Sequence, residues 1–491
     1  MMLVSATIGP RRGYHGVAWA ALALLLGVLA ARAPLALVGG GLALAALLIV
    51  TLAEPALAVV LMLCLAPLKT LIDTEAPVRL PVDVGQISFA LVAATWAMWR
   101  VVQRRGEALP RTRLFLPLAV IMLAFVPSLF GAISTLAWAS EFVKWIEIAL
   151  LVLIVLDLRH RWTWIAAGLV LAAVLQALIG LYEFRGGSGA PHLWIANYRY
   201  FRAFGTFGQP NPFSAFMGLT LPLALGLAWG FLSTAWRDRH SAWRLTTLFA
   251  ALYAGAAGML LLGLIASWGR GAWLGFGAAA VVLIGGAPRR WWLGLLLLAA
   301  GSVLLMTLWA AGLIPLSIQQ RINHTAQEFV GFRDVRGVPI SDENFAVVER
   351  LAHWQAAISM ASDHPFIGVG LGGYEAAYPA YRVPSWPRAL GHAHNDYLNL
   401  LAETGMIGLV GYLAGWMLIV YWTVRALHMS DPLKRGLVLG LLGTWAHLAV
   451  HSIVDKLYVN NLFLHLGVMV GLLAAVRSHS AGNNALDRYS D

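Results

Sequence analysis

Two histidines, an asparagine and an aspartate stand within five positions of this sequence. The stretch GHAHND at 391–396 contains His392, His394, Asn395 and Asp396. A neutral imidazole can take a proton from an attacking hydroxyl group, which is the task of a general base. Asn395 or Asp396 would also start a helix, and the positive end of its dipole would disfavour a protonated imidazole at His394. The pattern therefore predicts that His394 is a general base.

The same stretch also fits a metal site. The pattern His392-x-His394 followed by Asp396 offers imidazole and carboxylate groups of the kind that zinc takes as ligands. Only the fold could bring further histidines to this place, namely His353, His364 and His451. We expect no metal ion and no other cofactor, and we keep zinc as the alternative.

Three arginines have positions suited to binding an anion. Arg202 lies just before the stretch QPNPFSAF, in which Asn211 is expected to cap a helix. Arg270 stands between two glycines in SWGRGAW, where a ligand can approach closely. Arg350 belongs to a helix predicted over 344–363, for which Asp342 is the predicted N-cap. Guanidinium groups and helix N-termini both favour phosphate, so the three arginines together predict an anion-binding pocket. Taken singly, each also fits a contact with lipid headgroups.

The chain that positions these residues is strongly hydrophobic. It has 491 residues, of which 60% are hydrophobic and 12% charged, and its mean hydropathy is +0.74. Apolar runs of about twenty residues recur about fourteen times; the first two lie at 17–31 and 33–52, and the first after the large loop lies at 403–424. In lipid, a helix satisfies its own backbone hydrogen bonds. The sequence predicts an all-α polytopic membrane protein with about 12–14 transmembrane helices. The single cysteine, Cys64, excludes a disulfide framework within the chain.

The predicted organisation is N-terminal transmembrane helices at 1–313, a large loop at 314–402, C-terminal transmembrane helices at 403–477 and a cytoplasmic tail at 478–491. The loop carries the amphipathic helix and the candidate base, and it precedes the final predicted spans. With fourteen spans, the basic loops all fall on one side, which the distribution of Lys and Arg marks as cytoplasmic. The candidate site then faces the opposite, outer side.

Ionisable residues also occur inside one predicted span. Lys144 is three residues from both Glu141 and Glu147, so both glutamates can pair with it along one helix face. Because charges inside a membrane are costly, we expect an internal salt bridge, with a proton or ion pathway as the alternative. Asp455, in HSIVDKLY, is expected on the outer side, where it would orient an arginine or a histidine.

Several motifs share one order along the chain. The pair His394-Asn395 is followed after nine residues by Gly405-Met406-Ile407-Gly408. The stretches RAFGTFGQPNPFSAF, SWGRGAWLGF and ERLAHWQAAISMASDHPFIGVGLGGY precede it. On these residues, the sequence resembles the O-antigen ligase and polymerase superfamily over roughly residues 140–480.

The resemblance implies a GT-C-like glycosyltransferase fold and metal-independent glycosyl transfer on the periplasmic face of the bacterial inner membrane. The donor would be O-antigen on undecaprenyl pyrophosphate, and the acceptor would be the lipid A–core oligosaccharide. The resemblance also implies that His394, Arg270 and Arg350 are the catalytic residues. Four further positions are candidates for substrate binding: Arg202, Asn211, Asn395 and Asp455.

Other functions remain open. A polymerase would add the glycan to a second lipid-linked glycan, and a protein O-oligosaccharyltransferase would add it to a serine or threonine. A lipid-linked sugar transporter would have charges in the middle of several spans and two similar halves, whereas this chain concentrates its polar residues in one asymmetric loop. The net charge of +11 fits cytoplasmic loops and contacts with membrane lipids or phosphate, and we expect no nucleic-acid partner.

Overall fold

The computed structural model describes residues 50–75, 82–187, 193–195, 199–237, 243–316, 319, 334–340 and 344–486. Of the two predicted spans at 17–31 and 33–52, only the last three positions of the second fall within these ranges. Asp342, which the sequence suggests as the cap of the loop helix, lies outside them.

Helices dominate the described residues. Up to the large loop they are α1 (Pro55–Leu65), α2 (Lys69–Glu75), α3 (Val84–Gln103), α4 (Phe115–Phe125), α5 (Thr135–Asp157), α6 (Trp162–Phe184), α7 (Pro210–Arg237), α8 (Trp243–Ala266), α9 (Arg270–Gly286) and α10 (Trp291–Ala310). From the loop onward they are α11 (Phe345–Asp363), α12 (Tyr374–Tyr381), α13 (Asp396–Ala426), α14 (Pro432–His451) and α15 (Leu462–Leu486). Two short antiparallel strands, β1 (Trp194–Ile195) and β2 (Tyr200–Phe201), precede α7.

The prediction of an all-α polytopic membrane protein is confirmed. Each predicted apolar run that falls wholly within the described residues coincides with a helix. Six helices of the described chain are long and apolar enough to cross a membrane, and three shorter apolar helices accompany them. Helix α13 begins at Asp396, as the cap residues predict, and thus starts ahead of the apolar run at 403–424. One boundary differs from the prediction, because α15 continues to Leu486 into the predicted tail.

Helices α7 and α14 pack closely because a glycine removes a side chain from their interface. A Cβ atom at Gly440 would lie 2.8 Å from the carbonyl oxygen of Pro222 and from Cα of Leu223, closer than Cβ atoms approach. Thr444 Oγ1 donates a hydrogen bond to the Leu219 carbonyl across the same interface at 2.8 Å. Small residues let membrane helices approach each other in this way.

The basic loops share one end of the bundle, which we call the basic end. There Arg100 Nη1 lies 2.7 Å from Asp157 Oδ2, and Arg161 Nη2 lies 2.7 Å from Glu54 Oε2. The guanidinium group of Arg435 joins the loop after α13 to the C-terminus of α9. The segments that carry the candidate site meet at the opposite end, which we call the polar end. This separation agrees with the predicted grouping of the basic loops.

Helix α13 is broken at Gly405, whose φ of 62° and ψ of −166° are not helical. A segment of the large loop occupies the break. The backbone N–H of Met406 donates to the Pro365 carbonyl at 2.8 Å, and that of Val369 donates to the Ala402 carbonyl at 2.9 Å. A side chain at position 405 would collide with the backbone of this loop segment.

The described part of the large loop forms a small helical unit against α13. Helix α11 ends before His364, as predicted, and a glycine-containing turn leads to α12. The unit has a buried core of Ala356, Ala357, Met360, Val369, Tyr374, Ala377, Tyr378, Ala393 and Ala402. Because Ala402 belongs to α13, this core joins the loop to the bundle.

The ionisable residues of α5 behave partly as predicted. Lys144 forms a salt bridge with Glu141, which confirms an internal pair within the helix. The second expected pair is not formed, since Oε2 of Glu147 is buried and has no hydrogen-bond partner among the described residues. The spacing along the helix allows Lys144 to pair with either glutamate, but in the structure its ammonium group is bonded to Glu141 alone among the described residues.

We expect Gly405→Ala to lower the stability of the protein by about 1–3 kcal/mol, because this backbone conformation is accessible essentially to glycine alone. The measurement is the thermal unfolding midpoint of the detergent-solubilised protein. Gly258→Ala is the matched control, because a Cβ at position 258 in α8 would meet nothing within 4 Å. An equal midpoint for the two variants would contradict the prediction.

Candidate active site

A cavity of about 1300 Å³ lies at the polar end of the bundle, and we call it the polar-end cavity. The start of α7, the start of α9, helix α11 and the segments before α13 and after α14 all contribute to its walls. Most of the candidate site residues line it: Arg202, Asn211, Arg270, Arg350, His394 and Asp455. Residues from distant parts of the sequence thus line the same cavity.

The three arginines bring positive charge into this cavity. Arg202 Nε donates to the Ser267 carbonyl at 3.0 Å, which holds its side chain beside the start of α9. Arg270 is the first residue of α9, and Arg350 Nε is buried without a hydrogen-bond partner in the described chain. Burial, with the charges of Arg350 and Arg270, lowers the pKa of Arg202 to about 10, so its side chain remains protonated at neutral pH. An anion in the cavity would relieve the mutual repulsion of these groups.

His394 is held in an unusual backbone conformation. Its φ is 52°, a region that costs a residue with a side chain on the order of 1–2 kcal/mol. Its backbone N–H donates to His392 Nδ1 at 3.1 Å, and its carbonyl accepts from Trp354 Nε1 at 3.4 Å. Surrounding contacts therefore hold this residue in place, as is common where strain serves function.

A carboxylate lies beside the imidazole of His394. Asp455 Oδ1 is 3.5 Å from His394 Nδ1, and it also accepts from the Lys456 backbone N–H at 2.9 Å. Burial would raise the pKa of Asp455, but the hydrogen bond and charge of His394, with His392 and Arg350, outweigh burial and hold this pKa well below its usual value. A neutral His394 that donates Nδ1–H to Asp455 leaves Nε2 unprotonated. That nitrogen is buried and unpartnered among the described residues, which suits proton abstraction.

Residues 254–413 match the family model described as O-antigen ligase. Over these residues, about a third of the chain, the protein is similar to the O-antigen ligase family. The match includes Arg270, Arg350 and His394, and the family implies glycosyl transfer of the ligase or polymerase type. No curated protein compared with the chain matches it.

In this O-antigen ligase-like protein, two predicted residues differ from expectation. Asn395 does not line the cavity, because its side chain caps α13 by accepting a hydrogen bond from Leu398 N–H at 3.0 Å. Asn211 lines the cavity but does not cap α7, since that helix already begins at Pro210. A proline fixes a backbone angle suited to a helix start, so the helix begins at Pro210, two residues before the start at Pro212 that a cap at Asn211 would give.

The cavity also contains groups that sequence reasoning missed. Glu349 lines it, and burial raises the pKa of this carboxyl although the charges of His394 and Arg350 oppose the rise. The indoles of Trp268 and Trp354 line it as well. Glu349 could have been predicted from the sequence, because it adjoins Arg350. The indoles could not, because only the fold brings them to the cavity.

A half-buried cation adjoins Asp455 in the sequence. Burial would lower the pKa of Lys456, but the charges of Glu403, Glu141 and Asp396 outweigh burial and raise it. Lys456 thus lies close enough to carboxylates of α5 and α13 for their charges to stabilise its own. Its neighbour Asp455 faces the cavity itself.

In the structure, the candidate metal ligands are not the set that the sequence suggests. The ligand atoms of His392, His394 and Asp455 lie within 4.8 Å of one another, a set of three that would leave the fourth zinc position open. Asp396 belongs elsewhere, since its Oδ2 accepts from Ser452 Oγ at 2.9 Å and from the Leu457 N–H at 3.1 Å. The absence of a metal in the working protein thus stays a prediction.

The other histidines considered as ligands have separate places. His353 is fully buried, and its Nδ1 lies 3.0 Å from the Tyr374 hydroxyl. His364 is exposed in the turn after α11. His451 does line the cavity, and its Nδ1 lies 3.2 Å from His447 Nε2.

We expect acid to destabilise the loop unit through His353. Burial, followed by the charge of His394, lowers the pKa of His353 to about 4, whereas an unfolded chain has a histidine pKa of about 6.5. Between these values the unfolded state binds more protons, so stability falls as the pH falls from about 6.5 to about 4. The thermal midpoint should therefore decrease less between pH 7 and pH 5 in His353→Gln than in the wild type.

The exposed His364 provides the control for this prediction. His364→Gln should keep the full pH dependence of the wild-type midpoint. The same slope in wild type and His353→Gln would contradict the assignment of the effect to His353.

Proposed function

We propose that this protein is an O-antigen ligase. It transfers a glycan from undecaprenyl pyrophosphate to the lipid A–core oligosaccharide on the periplasmic face of the bacterial inner membrane. The observation that carries the proposal is the polar-end cavity, in which Arg202, Arg270 and Arg350 share one space with the His394–Asp455 pair. This set offers both an anion site and a base to one pair of reactants.

The arginines would hold the diphosphate of the donor. A guanidinium group stays protonated and its planar fork matches phosphate oxygens. Each charge-assisted hydrogen bond contributes on the order of 1.5–3 kcal/mol, and more where negative charge develops as the leaving group departs. Arg270 is the first residue of α9, and the N-terminal end of a helix dipole favours the same anion. These groups would stabilise the departing pyrophosphate without a metal ion.

His394 would activate the acceptor. Its Nε2 takes the proton of an acceptor hydroxyl as the oxygen bonds to the anomeric carbon and the bond from that carbon to the pyrophosphate oxygen breaks. Asp455 beside Nδ1 stabilises the imidazolium that results. Attack opposite the leaving group inverts the anomeric centre.

The remaining walls of the cavity fit the rest of a lipid-linked donor. Leu274, Ala278 and Val450 extend the lining along α9 and α14, and these apolar side chains suit a polyprenyl chain. The indoles of Trp268 and Trp354 offer flat apolar faces for sugar rings.

The proposed orientation rests on charge. The basic end, with Arg100, Arg161 and Arg435, would face the cytoplasm because basic loops are retained there. The polar-end cavity then opens toward the periplasm, where lipid-linked glycans meet their acceptors.

We expect His394→Ala and, separately, Arg270→Ala to abolish transfer while the protein remains inserted and monodisperse. Loss of a base lowers the rate by about 10²–10⁴-fold. Loss of even one charge-assisted bond of about 1.5–3 kcal/mol lowers it by about 10–150-fold. The measurement is glycan attached to lipid A–core by purified enzyme with lipid-linked donor.

His364→Ala and Arg388→Ala are matched controls, because both residues are exposed in the same loop and do not line the cavity. They should retain wild-type rates. Wild-type rates in both His394→Ala and Arg270→Ala would overturn the assigned site. Loss of activity with a chelator, restored by zinc, would favour the three-ligand metal site instead.

An acceptor panel separates the ligase from its alternatives. The purified enzyme receives the same donor with lipid A–core, a second lipid-linked glycan or a pilin-like protein. Transfer to lipid A–core supports the ligase, whereas transfer only to the second glycan or only to the protein identifies a polymerase or a protein O-oligosaccharyltransferase. Donor translocation in proteoliposomes without any transfer would identify a transporter.

A further inference from the structure

A second cavity, of about 430 Å³, lies at the basic end, and we call it the basic-end cavity. The C-terminal turns of α7, the linker after α9 and the start of α14 form its walls. Its described lining contains three arginines, Arg237, Arg289 and Arg435, and two tryptophans, Trp229 and Trp236. No acidic residue occurs among the described residues that line it.

Arg435 is the buried cation of this cavity, with only 6% of its surface exposed. Its Nη2 donates to the Gly286 carbonyl at 2.9 Å and its Nη1 donates to the Ala287 carbonyl at 3.0 Å. The guanidinium carbon lies 5.2 Å from the ring centroid of Trp229. These partners are neutral, so they fix the position of the charge without cancelling it.

Other arginines at the same end are neutralised within the protein. Arg100 pairs with Asp157 and Arg161 pairs with Glu54, each at 2.7 Å. In the basic-end cavity, by contrast, Arg237 donates to the Ser430 carbonyl at 3.1 Å. Three guanidinium groups of one sign in a small cavity repel each other, and an anion would offset this repulsion.

The location of the cavity indicates where such an anion comes from. Trp236 is 72% exposed and Leu232 is 54% exposed at its rim, so this wall faces the surroundings of the bundle. Tryptophans concentrate at the headgroup level of a membrane. Basic pockets between membrane helices on the cytoplasmic side suit anionic lipid headgroups.

We infer that the basic-end cavity binds the headgroup of an anionic phospholipid. The phosphate lies against Arg237, Arg289 and Arg435, and the indoles of Trp229 and Trp236 contact the glycerol region and the first methylenes of the acyl chains. The site lies at the opposite end of the molecule from the polar-end cavity and does not depend on the proposed reaction.

The bound lipid connects three helices that matter at both ends of the bundle. Helices α7 and α14 and the linker after α9 line the basic-end cavity, and the opposite ends of the three helices place Asn211, Arg270 and His451 in the polar-end cavity. A ligand that binds only the folded protein stabilises it in proportion to its occupancy. The lipid therefore stabilises the three-helix unit that forms much of the polar-end cavity.

The test uses the full-length protein in a mild detergent, with phosphatidylglycerol or cardiolipin added and phosphatidylcholine as the neutral comparison. Native mass spectrometry measures bound lipid, and the thermal midpoint measures its effect on stability. The wild type should bind the anionic lipids and gain stability. The double variant Arg237→Gln/Arg289→Gln should bind them at least about tenfold more weakly, since a basic residue near anionic lipid contributes about 1 kcal/mol and 1.4 kcal/mol is tenfold.

The double variant Arg105→Gln/Arg111→Gln is the matched control, because it removes two exposed arginines from the loop between α3 and α4 at the same end. It should bind like the wild type. Arg435 is left unchanged because its carbonyl contacts hold the helix ends. Equal losses in both double variants, no loss in Arg237→Gln/Arg289→Gln, or equal binding of phosphatidylcholine would each overturn the assignment. Inorganic phosphate that displaces the lipid at equal concentration would also overturn it, since free phosphate would then be the ligand.

Discussion

The carboxylate of Asp396 joins two parts of the chain that the proposed function requires in contact. Its Oδ2 accepts hydrogen bonds from Ser452 and Leu457, and its backbone N–H donates to the Ser452 carbonyl at 2.8 Å. His394 stands two residues before this junction, and Asp455 stands inside the segment that it binds. A carboxylate removed from water is stable only when its oxygens are hydrogen-bonded, so the junction is both costly to open and specific in geometry. The spacing of the imidazole and its carboxylate partner follows from this contact.

The pairing of charged side chains differs between the middle of the molecule and its polar end. Within the bundle, Lys144 and Glu141 cancel each other along one helix. In the polar-end cavity, Arg350 presents a buried N–H that has no partner among the described residues, and Arg350 and Arg270 stand near enough to disfavour the charge of Arg202. A buried polar group without a hydrogen-bond partner is costly in an unliganded protein. Under the proposed function, a phosphate group of the donor would offset this cost, so that binding energy would act where the leaving group forms.

Hydropathy and cap residues predicted much of this fold, because lipid leaves the backbone few alternatives to the helix. The start of α13 and the end of α11 were likewise readable from Asn395 and His364. The sequence could not assign partners across the fold. Spacing along one helix offered Lys144 two glutamates, and it offered a metal site Asp396, whereas the structure places Asp455 beside the histidines. The sequence allows Asn395 either to cap a helix or to bind a substrate, and spacing alone does not decide between the two roles. In the structure its side-chain oxygen accepts the hydrogen bond of a helix cap and is therefore not available to a substrate.

The break in α13 has a consequence for how such a protein can diverge. The loop is bonded to the broken helix by main-chain groups, through Pro365 to Met406 and through Val369 to Ala402. Bonds of this kind depend on backbone shape and hardly on side-chain identity, provided that positions 368 and 405 stay without side chains, since a Cβ atom at either would collide with backbone across this contact. Exchanges at solvent-exposed positions of the loop therefore leave its attachment to α13 intact. The two glycines set the limit on how far this loop can vary.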